Sequence, residues 1–149
     1  MTINDLITQN GILPADAIIV SKKFLSIFDH YIIYMGQDEN RKHWFSANMS
    51  GTGVTWISEE KVKEYLLDYK PVAIRKFTGN EQKRQYAVNF AISKIGTPYS
   101  LINYNCENYA NEVQFRKNES KQVQSAGKFL LMLGAGILII KGIDELSKK

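Results

Sequence analysis

Short apolar runs separated by polar punctuation fill the first half of the chain. "ADAIIVSK" (15–22), "DHYIIYMG" (29–36), "HWFSANM" (43–49), "GVTWIS" (53–58) and "PVAIRKF" (71–77) are rich in β-branched and aromatic residues and read as five strands. The polar "QDENRK" between the second and third runs predicts an antiparallel hairpin. Ser58 is placed to cap the segment "EEKVKEYLLDY", whose Glu59 and Glu60 suit the positive end of a helix dipole. From Asn80 the period changes. Ala87, Val88, Ala91, Ile92 and Ile95 recur at helical spacing, and Gly96 and Pro98 supply the stop. A last helix follows, with Asn105 as N-cap and Cys106, Tyr109, Ala110 and Val113 at i, i+3, i+4 and i+7 as its inward stripe. Strands first and the cysteine helix last predict an α+β domain.

Composition shifts after residue 125. Phe129–Ile140, "FLLMLGAGILII", is uncharged and apolar, with Lys128 before it and Lys141 after. A bilayer span takes about 20 apolar residues, so this run reads either as a buried or interfacial helix or, with its flanking lysines snorkelling, as a membrane contact. The expected organisation is a domain over 1–124 and an apolar C-terminal helix over 125–149. The net charge of +4 comes from 19 basic and 15 acidic residues that are interspersed, and the densest basic run, "RKNESK", is itself mixed. No nucleic-acid partner is expected from that pattern, and Trp44, Phe45 and Trp56 read as core rather than as a stacking platform. One cysteine excludes an internal disulfide and suits a reducing compartment. With no secretory signal pattern at "MTINDLITQNGILP", the expected location is cytoplasmic. One cysteine and two histidines do not make metal-ligand spacing, and "SGTGVT" lacks the lysine of a phosphate loop, so neither metal nor cofactor is expected.

Cys106 carries the candidate chemistry. A thiol in the first turn of a helix meets unpaired N–H groups and a positive dipole, which favour the thiolate. The same residue also belongs to the apolar stripe, so it reads equally as core. A nucleophile needs a base and the base an orienting group. The histidines are His30, at the start of "HYIIYM", and His43. Tight pairing about the "QDENRK" loop sets Gly36 opposite His43 and His30 opposite about Met49, which separates the two imidazoles by roughly 20 Å along the strand. Asn48 then lies within one register step of His30 and can accept from its imidazole. Asn48 is the preferred third member. His43 is the alternative, and otherwise a surface residue at the loop end.

These residues carry a family resemblance. "ADAIIVSKKFLSIFDHYIIYMG" resembles the strand and histidine box of the lecithin–retinol acyltransferase-like family, roughly G-D-x-I, a spacer, then H-W-x-I-Y-x-G. "GTPYSLINYNCENYANEVQF" resembles its N-C-E-H-F-x-N-x-[VL] box, and the apolar tail resembles its C-terminal membrane segment. The similarity runs from about Pro14 to Ile140. It departs at Asn108, where the family has histidine after Cys-Glu, at Ala15, where it has glycine, and at Asn48, where well-known members have histidine.

The resemblance implies a circularly permuted papain-like (NlpC-like) fold with Cys106 as nucleophile, His30 as base and a residue after the hairpin as orienter. It implies cysteine-dependent acyl transfer or hydrolysis through a thioester on lipid acyl esters, phospholipase-like or acyltransferase-like, with the tail holding the enzyme at a membrane surface. Two other readings stay open: a papain-like cysteine peptidase or amidase, and a non-catalytic interaction protein that keeps both boxes.

Overall fold

The computed structural model describes residues 2–22 and 29–128. The chain divides into two compact units, Met1–Glu119 and Ser120–Lys149, where the sequence pattern sets the boundary at 124/125. The second unit is described only as far as residue 128 and is helical over 121–128. The apolar run Phe129–Ile140 lies outside the described residues. Among the described residues no helix is long and apolar enough to cross a membrane.

The first unit is α+β. Its elements are α1 (Ile3–Gln9), β1 (Ala17–Lys22), β2 (His30–Gln37), β3 (His43–Met49), β4 (Gly53–Ser58), α2 (Glu59–Asp68), β5 (Tyr69–Arg75), α3 (Glu81–Ser93) and α4 (Cys106–Phe115). The strands form one antiparallel sheet in the order β4-β3-β2-β1-β5. The five strand segments and three of these helices lie where the sequence pattern places them. The addition is α1, which the apolar pattern does not predict. Its signals are local nonetheless: Thr2 and Asp5 form a capping box, and Ile3, Leu6 and Ile7 make one buried stripe.

Each face of the sheet carries its own core, and this explains why "YIIYM" is apolar throughout instead of alternating. Tyr31, Ile33 and Met35 of β2 pack with Ala87 and Ala91 of α3 and with Cys106, Tyr109 and Val113 of α4. Ile32 and Tyr34 pack on the other face with Ile3 and Leu6 of α1 and Val62 of α2. Helices on both faces remove the solvent-facing polar positions that a one-sided antiparallel sheet would show.

The hairpin register differs from expectation by one residue at the turn. Gln37, rather than Gly36, lies opposite His43, and Gly36 pairs with Trp44. A bulge at Met35 absorbs the difference, so Tyr34–Phe45 and Ile33–Ser46 return to the register that the sequence predicts. Continued along the strands, that register sets Tyr31 beside Asn48 and His30 beside Met49.

Candidate thiol site

Helix α4 starts where the sequence says it should, and for a local reason. Asn105 Oδ1 accepts the N–H groups of Glu107 (2.9 Å) and Asn108 (3.1 Å), while Asn108 Oδ1 accepts from Asn105 N–H at 3.0 Å. This reciprocal box occupies two of the four amide donors at the helix start. It also gives Asn108, the departure from the family's histidine, a structural task; its Nδ2 donates to Asn118 Oδ1 at 3.0 Å.

Cys106 is the first residue of the helix and is 7% exposed. Its Sγ donates to the backbone carbonyl of Asp29 at 3.6 Å. The expectation of a depressed thiol pKa is corrected here. Burial pushes the thiol up and outweighs the backbone N–H groups of Tyr31, Glu107 and Cys106 itself, and the Glu107 carboxylate adds to the rise. In this geometry the sulfur keeps its proton at neutral pH.

The two histidines lie elsewhere. His30 pairs with Val20, and Val20 belongs to the α1/α2 face. Cross-strand partners share a face, so the His30 side chain leaves the sheet on the side opposite Cys106. There it lines a small apolar cavity with Val20, Ile32, Ala47, Met49 and Tyr65. His43 is not a surface residue as expected but is 5% exposed. Tyr34 Oη lies 2.9 Å from its Nδ1 and Gln37 Nε2 lies 3.2 Å from its Nε2. The reason is the second core, which covers this face of β3.

Asn48 takes a different partner from the one expected. Its Nδ2 donates to the carbonyls of Tyr104 (2.6 Å) and Asn105 (3.3 Å), which pins the turn that launches α4 onto β3. In this arrangement it does not orient His30, because the sheet lies between the two side chains. Its Oδ1 is buried and accepts no hydrogen bond from any described residue. Asn48→Ala should destabilise the domain by about 1 kcal/mol by removing the tie between β3 and the turn before α4, since the Tyr104 and Asn105 carbonyls keep the N–H groups of Ser100 and Tyr109. Asn48→Asp should destabilise it more, since a carboxylate would face those carbonyl oxygens. Urea midpoints at neutral pH check both.

Sequence reasoning did not single out Tyr31, whose backbone N–H faces the thiol, or Arg75, which stacks on the Tyr31 ring. The Arg75 guanidinium lies over the Tyr31 ring at 5.2 Å and the Phe115 ring at 4.9 Å. It donates to Gln114 Oε1 (2.5 Å) and Asn111 Oδ1 (2.8 Å). The Tyr31 phenol is pushed up to about 12, first by burial and then by the Glu107 charge, against the pull of Arg75. The signal was available: Glu107, Asn111 and Gln114 fall at i, i+4 and i+7, a polar stripe that needs a buried polar partner. All three are buried in the structure.

Among the described residues no group of three or more His, Cys, Asp or Glu is placed to hold a metal ion. In comparisons with known proteins, no family model, no curated protein and no solved structure matches this chain.

Proposed function

We propose that the chain is a cysteine-dependent acyltransferase or hydrolase on a permuted papain-like fold, resting with its thiol closed. The observation that carries this reading is the pairing of Cys106, at the head of a doubly capped helix, with Asn48, whose buried Oδ1 has no donor although the amide is anchored on the residue just before the cysteine. A buried acceptor without a donor costs about 1–3 kcal/mol, and an imidazole N–H is the donor that would fill it. His30, at the first position of β2, reaches that point only if the strand end turns over and carries the ring to the α4 face. In that state His30 takes the Cys106 proton, and the sulfur attacks an acyl-ester carbonyl. The C–O bond breaks, and the alcohol leaves with the proton from the imidazolium. Water or an amine then cleaves the thioester, giving acid or amide and restoring the thiol. The N–H of Cys106 takes no part in the Asn105 cap and is the donor available to the oxyanion. Lipid acyl esters are the substrate class that the resemblance implies, with residues 129–140 as the contact to a lipid surface.

A second reading has its own support. The burial of Cys106 and the opposite-face placement of His30 are what a non-catalytic interaction protein would show. Intact-mass analysis separates the two. Wild type and Cys106→Ala are incubated with phospholipid vesicles and, separately, with peptides. The expected result is an acyl adduct from lipid on wild type alone, formed about a hundredfold or more slowly in His30→Ala. An adduct from peptide alone would replace the lipid enzyme by an amidase. No adduct on wild type from either source would leave the interaction protein.

A further inference from the structure

On the α4 side of the sheet, at the hairpin end, a groove of about 510 Å³ opens between Met35, Gly36, Gln37, Asp38, Trp44 and Trp56. Trp44 and Trp56 are diagonal neighbours on adjacent strands, because Trp44 pairs with Ser58 and Ser46 with Trp56. Both indoles therefore leave the sheet on one face. Their rings stand at 84°, with centroids 6.2 Å apart, and form two walls of a corner. Trp56 is 40% exposed, a large indole left in solvent.

The remaining lining decides what the corner fits. Asp38 Oδ2 accepts Trp44 Nε1–H at 3.0 Å, and its Oδ1 accepts the N–H groups of Asn40 (2.9 Å) and Lys42 (3.0 Å). Those bonds fix the carboxylate at the indole edge, and the Trp44 bond leads in holding its pKa below the usual range. Six residues line the groove, and among them is one carboxylate and no cationic side chain. The nearby Lys42 ammonium is turned to Glu60 at 3.3 Å. Indole faces carry the negative side of the ring quadrupole, so two faces and a carboxylate present negative potential to whatever enters. An alkylated ammonium matches this: its positive charge is spread over methyl groups, it is weakly hydrated, and its methyls fill the apolar corner.

We propose that this groove binds a small quaternary ammonium solute of the choline type. It is separate from the thiol site. Cys106 Sγ donates to the carbonyl of Asp29, just before β2, whereas the groove begins at Met35, roughly 20 Å further along the strand. The proposal holds whether or not Cys106 is catalytic.

The two indoles are the only tryptophans in the chain, so fluorescence excited at 295 nm reports on the groove alone. Choline chloride is titrated into the full chain against sodium chloride of equal ionic strength, alongside 3,3-dimethylbutan-1-ol, a neutral compound of the same shape. The expected result is a saturable change with choline, at least tenfold weaker for the neutral compound. Binding should fall at least tenfold in Trp56→Leu, read from the remaining Trp44, with the thermal midpoint of the variant confirming its fold. Asp38→Asn should weaken choline more than the neutral compound. Equal affinity for the two compounds would overturn the proposal, as would a choline response no different from that of sodium chloride. Binding to phosphatidylcholine vesicles without binding to free choline would overturn it as well.

Discussion

Arg84→Met is expected to cost about 3–5 kcal/mol of stability, because it strands a buried carboxylate. Asp16 has no solvent exposure. Its Oδ1 accepts from Arg84 Nη1 at 2.8 Å and from Phe77 N–H at 2.9 Å, and its Oδ2 accepts from Leu13 N–H at 3.0 Å. Arg84 also donates to the carbonyls of Pro14 and Phe77 and stacks on the Phe77 ring at 5.3 Å. One ion pair thus joins the entry to β1, the exit from β5 and helix α3. Lys76, 3.3 Å from Oδ2, is half exposed and is a weak substitute.

The pH dependence follows from the same contacts. Burial raises the Asp16 pKa, but the bonds from Arg84, Leu13 and Phe77 together exceed it, and the net shift is downward. A carboxyl lowered in the folded state contributes stability above its unfolded value, near 3.9, and loses that contribution as pH falls through the folded value. Without Arg84 that pKa rises. The penalty of Arg84→Met should therefore be largest at neutral pH and shrink as the pH approaches about 4. Asp16→Asn combined with Arg84→Met should be less destabilised than Arg84→Met alone. Urea denaturation from pH 4 to 7 measures all three, and a loss under 1 kcal/mol at pH 7 would remove this pair as a principal anchor.

Gly53→Ala is expected to cost about 3 kcal/mol or more. Gly53 opens β4 at φ +75°, and a Cβ there would lie 2.3 Å from the Thr97 carbonyl oxygen. That oxygen accepts from Val54 N–H at 2.9 Å, and Gly96 N–H donates to the Val54 carbonyl at 2.8 Å. The turn after α3 is thereby bonded to the outer edge of β4, which would otherwise be open there. A methyl group must displace that backbone, break both bonds and hold a left-handed conformation, which by itself costs roughly 1–2 kcal/mol. Gly51→Ala is the internal control. It has φ +90° but open space around its Cβ, so only the conformational cost should remain. Equal thermal midpoints for the two variants would show that the Thr97 contact contributes nothing.

How much of this was legible can be judged residue by residue. The Asn105 cap and the start of α4 were legible, because capping is settled within four residues. The five strands were legible too, since their apolar runs and polar breaks are local. Helix α1 carries an equally local capping box, but at seven residues it is too short to show a helical period. The bulge at Met35 was not legible, because an extra residue in one strand is visible only against its partner.

The sequence by itself determined where the five strands, α2, α3 and α4 lie along the chain, which residues head the cysteine helix, and that the class is α+β. Each of those depends on contacts a few residues apart. Only the tertiary structure decided that α4 docks on the face of β2 that carries Tyr31, Ile33 and Met35, so that His30 falls on the other side and Asn48 secures the turn before Cys106. It also decided that the thiol is protonated rather than activated, because desolvation is set by what packs on the sulfur and not by its place in a helix. In a strand with apolar residues on both faces, the pattern cannot say which face a given helix will cover, and side-chain parity converts that one choice into every contact of the site.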